Sequence, residues 1–152
     1  MRRRELVTRW VVREEVATAD YSAPMRGPAD LAPYLARWAD LHVETLVLVS
    51  VDARMRIIGH VEVAKGTSTA CPADVREVCR AALLAGGAAF FLAHNHPSGD
   101  TTPSTDDVAV TRRITDACKV LDLCLLDHVI VGLGRDGRLT HTSMKASGLM
   151  GD

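Results

Sequence analysis

Two histidines separated by one residue carry the strongest chemical signal in this chain. His94 and His96 follow the apolar segment 88–93, which is typical of a buried strand. Alternate residues of a strand point to the same side, so both imidazole rings should face one side of a sheet. A carboxylate from the next helix would then complete a set of three metal ligands. Three protein ligands with a fourth position open to water are typical of catalytic zinc.

The start of the following helix is the expected source of that carboxylate. Ser104 and Asp107 precede an apolar pattern with helical spacing, and Ser-x-x-Asp is typical of a capping box. A residue of a capping box can also be a metal ligand, because the side chains of the first helical turn can face a group that lies beyond the N-terminus of the helix. We therefore predict Asp107 as the third ligand, with Ser104 beside it. Asp100 and Asp106 are rival carboxylates that the spacing leaves open.

Hydrolysis at such a site also needs a general base to take a proton from the attacking water. The candidates are Glu44, Glu62 and Glu77. Glu44 comes at the start of a predicted strand, Glu62 lies inside the strand that returns from it, and Glu77 lies inside a helix. The pattern favours Glu44 only slightly, because a glutamate at a strand edge is usually solvated surface.

The elements that must position these residues follow from apolar periodicity and from turn residues. Helices and strands alternate through the second half, which predicts an α/β layered domain with a mixed central sheet and helices on both faces. We divide the chain into an N-terminal strand and linker, 1–28, and the layered domain, 29–152. The predicted elements are a strand over 5–13, a helix opening at Asp30, a hairpin of strands 45–51 and 56–64, a helix beginning at Pro72 and ended by Gly86-Gly87, a strand over 88–93, a helix over 104–120, a strand over 123–131 and a last strand near Leu139.

Composition limits the class of protein and its partners. The chain has 152 residues, 47% of them hydrophobic and 24% charged, which suits one soluble domain. A net charge of −1 provides no field that would attract nucleic acid. The four cysteines form no Cys-x-x-Cys pair, and no apolar run approaches the ~20 residues that span a bilayer. With no signal peptide evident, we expect a cytoplasmic protein with no membrane partner.

The segment His94-Asn95-His96-Pro97-Ser98-Gly99-Asp100 resembles the RadC branch of the JAMM metalloproteins, which carry the MPN or JAB domain. The JAMM pattern is a distant Glu, then His-x-His, seven residues, Ser, two residues and Asp. Here the seven residues are 97–103, and segments 65–67 and 125–132 are also similar to RadC proteins. The resemblance implies a cytidine-deaminase-like JAB/MPN fold. It also implies Zn2+ on His94, His96 and Asp107, Glu44 as general base, and Ser104 as the residue that stabilises the oxyanion.

The same resemblance implies a function. It indicates a zinc-dependent metallohydrolase that cleaves a peptide or isopeptide bond through metal-activated water. The expected partner is a peptide or protein substrate, with a ubiquitin-like C-terminal conjugate as one candidate. Open edge strands would allow a homodimer.

Two alternatives stay open at this point. One is a DNA-repair-associated accessory protein, as the RadC name suggests, although the charge gives no support for a nucleic-acid partner. The other is an interaction module in which zinc is present without catalysis. Asp127 and His128 are candidates for either an outer layer of the site or the core.

Overall fold

The structure, a computed structural model, describes residues 23–67 and 73–151. The strand predicted over 5–13 therefore lies outside the described residues. Within those two ranges, no helix combines the length and the apolar character needed to cross a bilayer. The elements are α1 (Pro28–Ala39), β1 (Thr45–Val51), β2 (Ile57–Lys65), α2 (Val75–Ala85), β3 (Ala89–Asn95), α3 (Thr105–Val120), β4 (Leu125–Leu133) and β5 (Leu139–Ser143).

The strands form one mixed sheet in the order β2-β1-β3-β4-β5. Strands β3 and β4 run parallel, with α3 as their connection, and every other neighbouring pair is antiparallel. The prediction of an α/β domain with a mixed central sheet is confirmed. The loops after the two parallel strands lie together at the carboxyl ends of these strands, which is where sites of such folds occur.

Helices cover both faces of the sheet, as the alternating pattern predicts. Helix α1 packs on one face, against residues such as Val47, Val49 and Phe91. Helices α2 and α3 pack on the other, against residues such as Leu48 and Leu92. Since strand residues alternate between faces, each strand contributes every second side chain to each of these two layers. We call them the α1 layer and the α2/α3 layer.

Two helices begin at residues other than those expected. Helix α1 begins at Pro28 rather than Asp30, because a proline at the first helical position loses no hydrogen bond and already has a suitable φ. Helix α2 begins at Val75 rather than Pro72, because Asp74 caps it by accepting a hydrogen bond from the second helical N–H. Pro72 itself lies outside the described residues.

Both parallel strands extend further than expected. Strand β3 ends at Asn95 rather than at residue 93, and β4 ends at Leu133 rather than at residue 131. The extra pairs join Asn95 to Val131 and His94 to Ile130. As a result His94 is a strand residue, and His96 is the first residue after the strand.

The turn after His96 packs closely on the end of β4. Gly99 has a φ of 80°, and a Cβ at this position would lie 2.1 Å from the carbonyl oxygen of Leu133. Only glycine fits both the left-handed backbone and the short distance. This turn directs the chain from β3 towards the start of α3.

Candidate metal centre

The two predicted imidazole ligands converge at the end of β3. His94 is 3% exposed, and its Nε2 atom lies 3.0 Å from Nε2 of His96. The ring centroids are 4.9 Å apart. The structure therefore brings together the two nitrogens that the His-x-His spacing predicts on one side of the sheet.

Asp107, in the first turn of α3, faces the same two nitrogens. Its Oδ1 lies 3.2 Å from His94 Nε2, and its Oδ2 lies 3.4 Å from His96 Nε2. Each of the three residues offers one ligand atom, and these atoms lie within 4.8 Å of one another. The rival Asp100 uses its carboxylate to accept the Thr102 backbone N–H at 2.9 Å. The described side chains thus place Asp107, not Asp100, with the histidines.

The capping box and the third ligand position use the same carboxylate. The Ser104 hydroxyl donates to Asp107 Oδ2 at 2.6 Å, and the Ser104 backbone N–H donates to the same oxygen at 2.8 Å. In return the Asp107 N–H donates to the Ser104 hydroxyl at 3.1 Å. The cap therefore orients the carboxylate towards the two imidazoles, and the two roles support each other.

Replacing Ser104 with alanine should lower the free energy of unfolding by roughly 1 kcal/mol, the usual value of a serine N-cap. The physical reason is that the first turn of α3 loses the acceptor for the Asp107 N–H. Urea denaturation of the metal-free chain would measure the change. Thr105→Ala, at the exposed neighbouring residue, is the control. Equal stability of the two variants would mean that the cap contributes nothing.

The remaining nitrogen of each histidine has a partner of the required kind. A metal bound through Nε2 leaves the proton on Nδ1, which then needs an acceptor. For His96 that acceptor is the backbone carbonyl of Asp100, at 2.6 Å. For His94 it is Nε2 of His128, at 2.9 Å. Both contacts therefore fit the tautomer that carries the proton on Nδ1 and leaves Nε2 free for a metal.

His128 continues this chain of hydrogen bonds into the core. If its Nε2 accepts from His94, its proton lies on Nδ1, which is 2.6 Å from the Thr111 hydroxyl oxygen. Burial lowers the pKa of His128 well below its ordinary value, which keeps the ring neutral and able to accept. The sequence left open whether His128 supports the site or belongs to the core. The residue is 1% exposed, so it is part of the core, and it also contacts the ring of His94.

Replacing His128 with leucine should weaken metal binding about 10–100-fold, the usual effect of losing the partner of a ligating histidine. The variant leaves the Nδ1–H of His94 without its acceptor inside the core. Competition titration against a chromophoric chelator would measure the affinity. His141→Leu, on the exposed part of β5, is the matched control. An unchanged affinity in His128→Leu would exclude this supporting role.

The charges at the centre are mutually stabilising. Hydrogen bonding to Asp107 raises the pKa of His96 above its ordinary value. Burial opposes ionisation of Asp107, but the imidazoles of His94 and His96 and the Ser104 hydroxyl hold the pKa of its carboxyl far below the usual range. Asp107 is therefore an anion at neutral pH, as a metal ligand must be.

Glu44 lies beside this group, on the same side of the sheet. It is 9% exposed and comes directly before β1. The antiparallel register pairs Leu46 with His94. Continuing this register by two residues beyond the last pair would bring Glu44 opposite His96. Its charge also contributes to the raised pKa of His96.

The other two glutamates are engaged elsewhere. Glu62 accepts a hydrogen bond from Trp38 Nε1 at 3.0 Å, on the α1 side of the sheet. Hydrogen bonding to Trp38 is the main reason that the pKa of Glu62 is lowered. Glu77 is paired with Arg80 on the exposed surface of α2. Of the three candidates that the sequence left open, Glu44 is the one whose charge acts on His96.

Two residues near the centre received no role from the sequence. Thr111 lies four residues after Asp107 on α3, so both side chains occur on one face of the helix. That spacing is a signal which could have identified it. Asn95 separates the two histidines and points to the opposite face of the sheet, so no local pattern links it to the centre.

Comparison with known proteins gives consistent matches over most of the chain. A family model described as the RadC-like JAB domain matches residues 25–149. A UPF0758 protein of Thioalkalivibrio sulfidiphilus is 42% identical over 109 residues, which cover 71% of this chain and 49% of the relative. UPF0758 proteins of Symbiobacterium thermophilum and Methanococcoides burtonii are 37% and 36% identical, each over 135 residues, covering 85% and 88% of this chain. The chain spans about half the length of these relatives, 49–57%.

Proposed function

Because this chain belongs to the RadC-like JAB domain family, we propose that it is a zinc-dependent hydrolase of the JAMM type, which cleaves a peptide or isopeptide bond. The observation that carries the proposal is the group of His94, His96 and Asp107 with Glu44 beside it. The family match alone supports a metal-binding domain. The position of an acidic side chain next to the ligands is what favours hydrolysis.

The donor set fits zinc. Two imidazole nitrogens and one carboxylate oxygen are ligands that zinc prefers, whereas magnesium and calcium prefer oxygen ligands alone. His94, His96 and Asp107 would hold the ion, and three protein ligands are typical of a catalytic rather than a structural zinc. When bound, zinc supplies a Lewis acid that lowers the pKa of water and polarises a carbonyl group.

Glu44 would move the proton. Its carboxylate would take a proton from the water molecule whose oxygen forms the new bond to the carbonyl carbon. It would then give that proton to the amine nitrogen as the carbon–nitrogen bond breaks, so that a carboxylic acid and an amine are released. General base and acid catalysis of this kind typically contributes ~10²–10⁴-fold.

Ser104 would stabilise the negative charge that develops on the carbonyl oxygen. Its hydroxyl has one proton, which the Asp107 carboxylate accepts at 2.6 Å, so this role requires the hydroxyl to turn away from Asp107. The Ser104 backbone N–H, at 2.8 Å, would continue to hold that carboxylate. Loss of one oxyanion donor typically costs ~2.7–4 kcal/mol of transition-state stabilisation.

The substrate is proposed at the level of its chemistry. A peptide or protein with an amide or isopeptide bond is the class that this mechanism serves, and a ubiquitin-like C-terminal conjugate is one candidate. Since the chain spans about half the length of its relatives, the activity of a full-length relative does not define that of this chain.

The test is turnover by the zinc-loaded chain on two fluorogenic substrates, one with a peptide bond and one with a lysine isopeptide bond. Hydrolysis of either should stop after treatment with a chelator and return when zinc is added. Stoichiometric zinc without turnover of either substrate would favour the non-catalytic interaction module. Turnover that persists after complete removal of metal would contradict the metal-dependent mechanism.

A further inference from the structure

Asn95 is the residue between the two ligand histidines, and its side chain is fully buried at 0% exposed. Because strand residues alternate, Asn95 points away from the candidate centre and into the α1 layer, on the side of Phe91 and Ala93. A polar amide in this position needs partners for one acceptor and two donors.

All three partners belong to one short segment of backbone. Asn95 Oδ1 accepts the Thr45 N–H at 2.8 Å. Its Nδ2 donates to the carbonyl oxygens of Leu41 at 3.2 Å and Val43 at 3.1 Å. The segment 41–45, which connects α1 to β1, is therefore held along its whole length by a single side chain.

Glu44 lies inside this segment, between two of the residues that Asn95 binds. Its own backbone is held from the other side, because the Glu44 N–H donates to the carbonyl of Thr67 and its carbonyl accepts from the Gly66 N–H, both at 2.8 Å. The backbone of Glu44 is thus fixed between Asn95 and the loop that follows β2.

We propose that Asn95 is a positioning residue, which fixes Glu44 opposite His96 by holding the backbone of segment 41–45. The inference rests on the proposed function in so far as Glu44 is the general base. Its physical content is that the end of β3 supplies the two histidine ligands towards one face of the sheet, whereas Asn95 between them holds the segment of the base on the other face. Any movement of the end of β3 then moves the two histidines and the base together.

The amide is well matched to this task. An aspartate would face two carbonyl oxygens with a charged acceptor and no donors. An apolar residue would leave the Thr45 N–H and two carbonyl groups without their partner in a buried place, which is destabilising. The three hydrogen bonds therefore require both ends of the asparagine amide.

The first test is hydrogen exchange of the zinc-loaded chain with Asn95→Ala. Val131→Ala is the matched control, because Val131 is the β4 register partner of Asn95, is 1% exposed and also packs in the α1 layer. Relative to this control, exchange of the Glu44 and Gly66 backbone amides should accelerate roughly tenfold in Asn95→Ala. Neither amide bonds to Asn95 directly, so their acceleration would report movement of the segment.

Two exchange results would overturn the inference. One is acceleration confined to the Thr45 amide, which merely loses its own acceptor. The other is equal acceleration of the Glu44 and Gly66 amides in both variants, which would indicate general loosening. Zinc stoichiometry should be unchanged in Asn95→Ala, and its loss would mean that Asn95 acts on the ligands instead.

The second test is a double-mutant cycle on turnover. Asn95→Ala should lower kcat about tenfold or more with little change in KM, and it should cause no further loss when added to Glu44→Gln. If the fall in kcat of the double variant equalled the product of the two single falls, Asn95 would act independently of Glu44, which would contradict the inference. If the unaltered zinc-loaded chain turned over neither substrate, the proposed function would fail. The exchange measurement would then still decide whether Asn95 positions the segment.

Discussion

The His96→Ala chain is expected to lack the stoichiometric zinc that we propose for the unaltered chain. The substitution leaves His94 and Asp107 as two of the three proposed ligands, which is too few for a stable protein-bound zinc. It also removes a charge-assisted partner from Asp107, whose carboxylate lies 3.4 Å from His96 Nε2. Elemental analysis after gel filtration, supported by chelator competition, would measure the loss.

His96 is a better position for this test than His94. The His96 side chain is 12% exposed and follows the strand, so its removal opens a small gap at the surface. His94 is 3% exposed and bonded to His128 in the core, so its loss would also affect folding. His141→Ala, on β5, controls for the loss of one imidazole at an exposed position. Unchanged zinc content in His96→Ala would remove the foundation of the proposed function.

The Glu44→Gln chain is expected to lose ~10²–10⁴-fold in kcat while it retains zinc. Glutamine has nearly the same shape as glutamate, but its amide cannot accept and return a proton at neutral pH. Because Glu44 is not among the three ligand residues, its neutral substitute should leave the metal content intact. Steady-state kinetics with parallel metal analysis would measure both quantities.

Glu62→Gln provides the matched control for this second prediction. Glu62 has the same side chain, but it is bonded to Trp38 on the other face of the sheet. Its substitution should leave kcat close to that of the unaltered chain. Comparable activity in Glu44→Gln would mean that another group moves the proton, or that the reaction is of another kind.

The sequence by itself determined the parts of the centre that follow from local geometry. His-x-His at the end of an apolar strand places two rings on one side, because side chains alternate along a strand. Ser-x-x-Asp at the start of a helix fixes the direction of the Asp107 carboxylate, because a cap ties it to the first turn. The layered α/β architecture also followed from periodicity. All of these features depend on residues close together in the chain.

Helix starts were predicted less well, and the reason is also local. More than one nearby residue can begin each helix. Pro28 and Asp30 both suit the start of α1, and Pro72 and Asp74 both suit the start of α2. The structure chose Pro28 for α1 and the Asp74 cap for α2. Differences of two or three residues at an end depend on small free energies that a pattern does not rank.

Only the tertiary structure distinguished Glu44 from the other two glutamates and showed which residues support the two histidines. Glu44 and His96 come together through the register of β1 against β3, and that register depends on the packing of both sheet faces. The contact of His94 with His128 and the hydrogen bonds of Asn95 to segment 41–45 depend on the same sheet. These contacts join residues 34 to 54 positions apart in the chain, a separation over which helix and strand periodicity carries no information.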